Sequence, residues 1–216
     1  MANNLWYCLN EIIKRFGGNP ENVGLSMYME DLNHSLVFCP EGELTWLGVK
    51  IKKTPLDAFI FQEIITEKRP DTIIETGTAN GGSAYFFATL FDLLKIDGKI
   101  ITIDIKEEGA RPQHPKIEYI LSDCLLTDIK PIGKTMVVLD CNHKADHVYQ
   151  EMLKFSPMVT SGQYLVVEDT DFSQRRGRGP KHAINQFLQN NDDFVNDKTR
   201  EKLCLSSNLG GWLIRK

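Results

Sequence analysis

Acidic and glycine residues gather at the ends of four strand-like apolar runs in this chain. Thr72–Thr76 leads into Gly77-Thr78-Ala79-Asn80-Gly81-Gly82, residues 100–103 into Asp104, 136–139 into Asp140, and Tyr164–Val167 into Glu168-Asp169. In an open α/β sheet, ligands bind in the crevice beyond the carboxyl ends of the strands, whereas carboxylates without a task sit on solvated faces. If the strands ending in Asp140 and Glu168 are neighbours, about 4.8 Å apart, then Asp140, Glu168 and Asp169 converge. Like charges that close repel, and a divalent cation relieves the repulsion most directly. Hard oxygen ligands select magnesium, manganese or calcium over zinc. The alternative for any one of the three is a helix cap or an arginine partner.

His143, three residues after Asp140 at the start of a predicted helix, can face the same cleft as a general base, with an ordinary pKa of roughly 6.5. Lys144 beside it could do so only if desolvation lowered its pKa. His147 and His182 read as helix-surface residues. Glu75-Thr76-Gly77-Thr78-Ala79-Asn80-Gly81-Gly82-Ser83 couples a strand end to a helix start, where glycines admit a ligand to the backbone and free N–H groups face it. It departs from the dinucleotide fingerprint G-x-G-x-x-G, which argues against a nicotinamide dehydrogenase. Asp104 is placed to accept from ribose hydroxyls, and Asp123 either meets an adenine or caps a helix. Arg175-Arg176-Gly177-Arg178-Gly179-Pro180-Lys181 is a basic loop that suits a mobile lid over an anionic group, or simply a solvated loop.

The elements that must position these residues follow from period and punctuation. The 216 residues, 42% hydrophobic and 25% charged, suffice for one cored domain. A net charge of −4 gives no case for nucleic acid. The amino-terminal segment has no leader pattern, and no stretch reaches the ~18 apolar residues of a span, so a soluble cytoplasmic protein without membrane contact is expected. Cys8, Cys39, Cys124, Cys141 and Cys204 lack metal-binding spacing and read as reduced thiols. Leu5, Leu9, Ile12, Ile13 and Phe16 mark an amphipathic N-terminal helix ended by Gly17-Gly18-Asn19-Pro20, and residues 21–53 an extended arm with short elements. Helices are predicted at 57–65, 83–94, 143–155 and 180–189, with further strands at 99–103 and 117–121. This alternation implies a parallel sheet covered on both faces. Segments 202–206 and 212–215 flank Asn208-Leu209-Gly210-Gly211, which predicts a hairpin and an antiparallel strand at a sheet edge.

Trp46-Leu47-Gly48, Lys53-Thr54-Pro55-Leu56-Asp57, the 74–83 turn, His114-Pro115-Lys116-Ile117, Leu139-Asp140-Cys141-Asn142-His143, residues 162–170 and Gly179-Pro180 before Ala183-Ile184 together resemble the cephalosporin hydroxylase family. That family has the fold of class I S-adenosylmethionine-dependent methyltransferases and is akin to magnesium-dependent catechol-type O-methyltransferases. The resemblance implies a Rossmann-like, doubly wound, mostly parallel seven-stranded sheet over residues 45–216, with one antiparallel strand near an edge and residues 1–44 as a helical arm. It implies S-adenosyl-L-methionine and Mg²⁺ (or Mn²⁺ or Ca²⁺) as cofactors and a small hydroxylated acceptor, a sugar or secondary metabolite. Glu75, Gly77, Thr78, Asn80, Gly81, Gly82 and Ser83 would hold the methionine part, Asp104 the ribose, and Asp123 the adenine. Asp140 would touch both cofactor and ion, completing the metal set with Glu168 and Asp169. His143 takes the position where catechol-type enzymes carry a lysine base. A homo-oligomer is also expected. The competing reading is a cofactor-binding accessory subunit of a partner enzyme, with no catalysis of its own.

Overall fold

A computed structural model describes residues 44–170, 179–203 and 206–216. The predicted N-terminal helix with Trp6, the arm up to residue 43, and residues 171–178, which include 175–178 of the basic loop, lie outside the described residues. A short antiparallel hairpin, β1 (Thr45–Trp46) and β2 (Val49–Lys50), precedes α1 (Pro55–Lys68). Thr54 caps α1 by accepting from the Asp57 amide at 3.1 Å, and Pro55 supplies a preset first-turn φ. Then follow β3 (Thr72–Thr76), α2 (Gly82–Leu93), β4 (Lys99–Asp104), β5 (Ile117–Leu121), β6 (Thr135–Leu139), α3 (Ala145–Phe155), β7 (Tyr164–Val167), α4 (Pro180–Gln189), β8 (Phe194–Asn196) and β9 (Trp212–Arg215).

Seven strands form one sheet in the order β5-β4-β3-β6-β7-β9-β8, with β9 antiparallel to both its neighbours. The predicted antiparallel strand is present, second from the edge. Its partner is not the predicted 202–206 segment. Lys202 and Leu203 lie in a turn, and β9 pairs instead with β8. The turn signal at 208–211 was sound, but Phe194 and Val195, too short a run for a periodicity argument, supply the partner strand.

Alternation along the strands divides the core. Ile73, Met136, Val138, Tyr164 and Val166 face α1 and α2, where Phe61, Ile64, Phe87, Phe91 and Trp212 pack with them. Ile74, Val137, Leu139, Leu165 and Val167 face α3 and α4, against Val148, Met152, Phe155, Ile184 and Phe187. Both faces are thus covered, which is why these strands read as continuous apolar runs. The order in which strands are added reverses between the parallel neighbours β3 and β6: β4 and β5 build outward from one side, β7 and β9 from the other. That reversal opens a crevice at the carboxyl ends of β3 and β6. No helix among the described residues is long and apolar enough to cross a membrane.

Candidate active site

The ladder delivers the acidic residues to one edge. Thr76 pairs with Leu139 and Leu139 with Val167, and the hydrogen bonds run one step further, from the Asp140 amide to Thr76 O and from the Glu168 amide to Leu139 O, both 3.0 Å. A cavity of about 560 Å³ opens there, within the usual range for a small-molecule site. Gly77, Thr78, Asn80, Gly82, Ser83, Asp104, Asp123, Asp140, His143, Glu168 and Asp169 all line it.

The glycine turn forms the wall between β3 and β6. Gly77 has φ +89°, and a Cβ there would lie 2.0 Å from the Asp140 carbonyl oxygen, so only glycine lets the strand ends approach this closely. At Gly82 the same substitution would meet Lys50 O at 2.0 Å, because the β1–β2 hairpin packs on the start of α2. The Asp104 carboxylate braces the turn, accepting from the Ala79 amide at 2.9 Å and from the Lys106 amide at 3.0 Å. Asp123 accepts from the Leu125 amide at 2.8 Å and also borders the cavity, so its local turn role and its ligand-facing position coexist. Glu75 and Gly81 are not on the cavity wall. Glu75 is fully buried behind it, accepting from Thr102 Oγ1 at 2.6 Å.

The acidic residues separate into two groups. Asp140, His143 and Asp169 bring one ligand atom each to within 4.8 Å of one another. Asp169 sits at φ +55°, a left-handed conformation that aspartate tolerates, which turns its side chain toward His143, 3.5 Å from Nε2. The Glu168 carboxylate lies in the other group. Its Oε1 accepts from Lys53 Nζ at 2.5 Å, and the same ammonium is 3.4 Å from Asp140 Oδ2. Lys53 is buried, 4% exposed, with its charge over the rings of Phe61 and Phe87 at 5.2 and 5.9 Å.

Charge sets the protonation states. Burial alone would lower the pKa of Lys53, but the carboxylates of Glu168, Asp140 and Glu75 outweigh it and hold the ammonium well above its ordinary range. One cation does not balance three acids. Burial pushes Glu75 up to about 7 against the pull of Lys53, and burial raises Glu168 as well. Burial lowers His143 below 6.5, with Asp140 opposing, so the imidazole is neutral at pH 7 and able to accept a proton. Lys144 is exposed and is not on the cavity wall, which Asn142 and His143 form at this point.

Two features escaped the sequence reading. Lys53 carried no assigned role, although its signal was present: a lysine directly before the Thr54-Pro55 helix start is carried to the strand ends. His147, expected on a helix surface, instead points its Nε2 at Cys141 Sγ, 3.4 Å away. His182 is exposed, as expected.

Residues 41–216 match the family described as Rhamnosyl O-methyltransferase/CmcI. The chain belongs to this O-methyltransferase family. Rhamnosyl O-methyltransferase from Mycobacterium leprae is 33% identical over 190 residues, covering 80% of this chain and 83% of the relative. Its counterpart from Mycobacterium bovis is 30% identical, covering 79% and 78%. Among solved structures, CmcI with magnesium and S-adenosylmethionine superposes with a TM-score of 0.65 at 24% identity, covering 80% of this chain and 76% of that one. TomG, an O-methyltransferase from Streptomyces achromogenes in complex with S-adenosylmethionine, gives 0.50 at 16% identity, with coverages of 77% and 80%. These two confirm the Rossmann-like methyltransferase fold. Membership of the family makes this chain an O-methyltransferase.

Proposed function

We propose that the chain methylates a hydroxyl of a sugar or sugar-bearing small molecule, with a hard divalent cation, magnesium first, beside the methyl donor. One observation carries the reading. One cavity is lined both by the glycine turn, Asp104 and Asp123 and by the cluster of Asp140, His143 and Asp169.

The residues present fit both groups. Gly77 and Gly82, each required by close backbone packing, expose their turn to the cavity together with Thr78, Asn80 and Ser83. Asp104 would accept from the ribose, Asp123 would lie by the adenine, and Thr78, Asn80 and Ser83 would hold the methionine part. Asp140 and Asp169 offer the hard oxygens a magnesium ion prefers, with room for water to complete its shell. When bound, S-adenosylmethionine supplies an electrophilic methyl and the cation supplies Lewis acidity at the acceptor hydroxyl.

The protein's own residues do the rest. His143, neutral and beside Asp140 and Asp169, would take the proton of the acceptor hydroxyl at its imidazole as the oxygen displaces the methyl group from sulfur, which leaves as a neutral thioether. Lys53, at the buried edge of the cavity, fixes Glu168 and stays within 3.4 Å of Asp140 Oδ2. The rhamnosyl acceptors named for the mycobacterial relatives make deoxyhexose glycosides the first acceptors to try.

The test is transfer of labelled methyl from S-adenosylmethionine to a panel of rhamnosides and other glycosides, with magnesium and with excess chelator. Methylated glycoside that disappears on chelation and returns with magnesium is expected. Undiminished turnover in chelator removes the ion from the proposal, and binding of S-adenosylmethionine with no glycoside methylated removes the sugar.

A further inference from the structure

A second cluster of ligand atoms lies outside the residues used so far. Cys124 follows the loop from β5, Cys141 the end of β6, and His147 and Glu151 occupy one face of α3, four residues apart. Cys124 Sγ lies 3.8 Å from Cys141 Sγ and 3.8 Å from His147 Nε2, and Cys141 Sγ lies 3.4 Å from His147 Nε2. Glu151 Oε1 is 3.6 Å from Cys124 Sγ and 3.2 Å from Cys141 Sγ.

We infer that Cys124, Cys141, His147 and Glu151 form a second metal site, for a zinc-class divalent cation, clamping the two cavity loops to α3. A tetrahedral ion with metal–sulfur bonds of ~2.3 Å and metal–nitrogen or metal–oxygen bonds of ~2.1 Å has ligand-to-ligand edges of about 3.8 Å between sulfurs and about 3.6 Å between sulfur and nitrogen or oxygen. The measured separations follow that pattern. Glu151 is 1% exposed. Its Oε1 accepts from Thr76 Oγ1 at 2.7 Å, the outer contact a ligating carboxylate commonly has. Its Oε2 is buried with no hydrogen-bond partner, and its ion-pair contact is His147 at 3.7 Å. A buried carboxylate in that position calls for a positive charge.

Ligand softness separates the two sites. Two thiols and an imidazole select zinc over magnesium, whereas Asp140 and Asp169 offer hard oxygens. Spacing along the sequence hid the cluster because its members come from three elements. The inference does not depend on the methyl-transfer reading. Cys124 directly follows Asp123 and Cys141 directly follows Asp140, so the ion would hold both cavity-lining acids by their neighbours.

The experiment uses the full chain, purified with reductant, stripped with chelator and reloaded with zinc or cobalt(II). Retention of about one zinc after desalting, and a near-ultraviolet thiolate-to-cobalt charge-transfer band, are expected. Cys124→Ser and Cys141→Ser should abolish the cobalt band or lower metal affinity at least about tenfold, as loss of even an outer-shell partner does. His147→Gln, on a partly exposed side chain, repeats the test should a cysteine variant misfold. Asp169→Asn should keep the band, which separates this site from the oxygen site. Protein that takes up no zinc while its thiols titrate as free, or a cobalt spectrum without the thiolate band, would overturn the inference.

Discussion

The same sheet edge resolves like-charge repulsion in two ways. With Glu75 behind the cavity and Glu168 at its buried inner edge, both acids are nearly removed from water, and the fold supplies its own cation in Lys53. At the cavity wall, Asp140, His143 and Asp169 keep side-chain exposures of 20%, 35% and 23% and reach solvent. A charge removed from water needs a partner built into the chain, because uncompensated burial is severe. A charge left at a wall can wait for a partner from solution. In the proposed function the inner group serves the stability of the fold and the outer group its chemistry, although they lie within hydrogen-bond reach of each other through Lys53 and Asp140.

Removing the inner cation should produce the largest effect. Lys53→Met leaves Glu168 and Glu75 buried without a counter-charge and should lower stability by roughly 3–5 kcal/mol, read as the denaturation midpoint. Adding Glu168→Gln should restore most of that loss, since both members of the pair are then neutral. A single variant as stable as the parent would end the distinction between the groups. At the wall the signature should be reversed: His143→Gln is expected to lower kcat by about 10²–10⁴ while shifting stability by less than about 0.5 kcal/mol. Full turnover in that variant would move the base elsewhere.

Why the two groups were not equally visible beforehand follows from how each is assembled. Strand ends are local: an apolar run followed by Gly77, Asp104, Asp140 or Glu168 announces both the strand and the residue that ends it, so the sheet and the cavity edge were legible from sequence. The side on which a carboxylate falls is not local. Glu168 and Asp169 are adjacent, yet Glu168 turns to Lys53, 115 residues away, and Asp169 to His143. Only tertiary packing of α1 on the sheet decides that. The same limit explains the thiol cluster, whose members span residues 124 to 151, and β8, whose three residues are a strand only because β9 lies beside them.

Titration sharpens the contrast next. Glu75 has a folded pKa of about 7 against an ordinary 4.5, because burial disfavours its anion. For an acid raised on folding, the native state holds its proton longer than the unfolded chain. That contribution is fully present below pH 4.5 and is lost as the pH rises through 7. Complete titration is worth about 3 kcal/mol at 1.36 kcal/mol per unit. Glu75→Gln should therefore gain stability relative to the parent between pH 5 and pH 8, with little difference at the lower value. Parallel melting curves for the two proteins across that range would show that the inner group does not hold this proton.

The smallest expected effect isolates burial from distance. Lys202 Nζ lies 2.6 Å from Glu63 Oε2, almost the separation of Lys53 from Glu168, but the side-chain exposures are 49% and 39% rather than 1% and 6%. Water solvates the surface pair whether or not it is formed, and salt screens it, so Lys202→Ala should cost at most about 1 kcal/mol and less at high ionic strength. Measured beside Lys53→Met in the same denaturant series, it holds ion-pair geometry nearly constant while changing the surroundings. Equal losses from the two variants would mean that contact distance, rather than the removal of water, governs the inner group, and the assignment of Lys53 to the stability of the fold would fail with it.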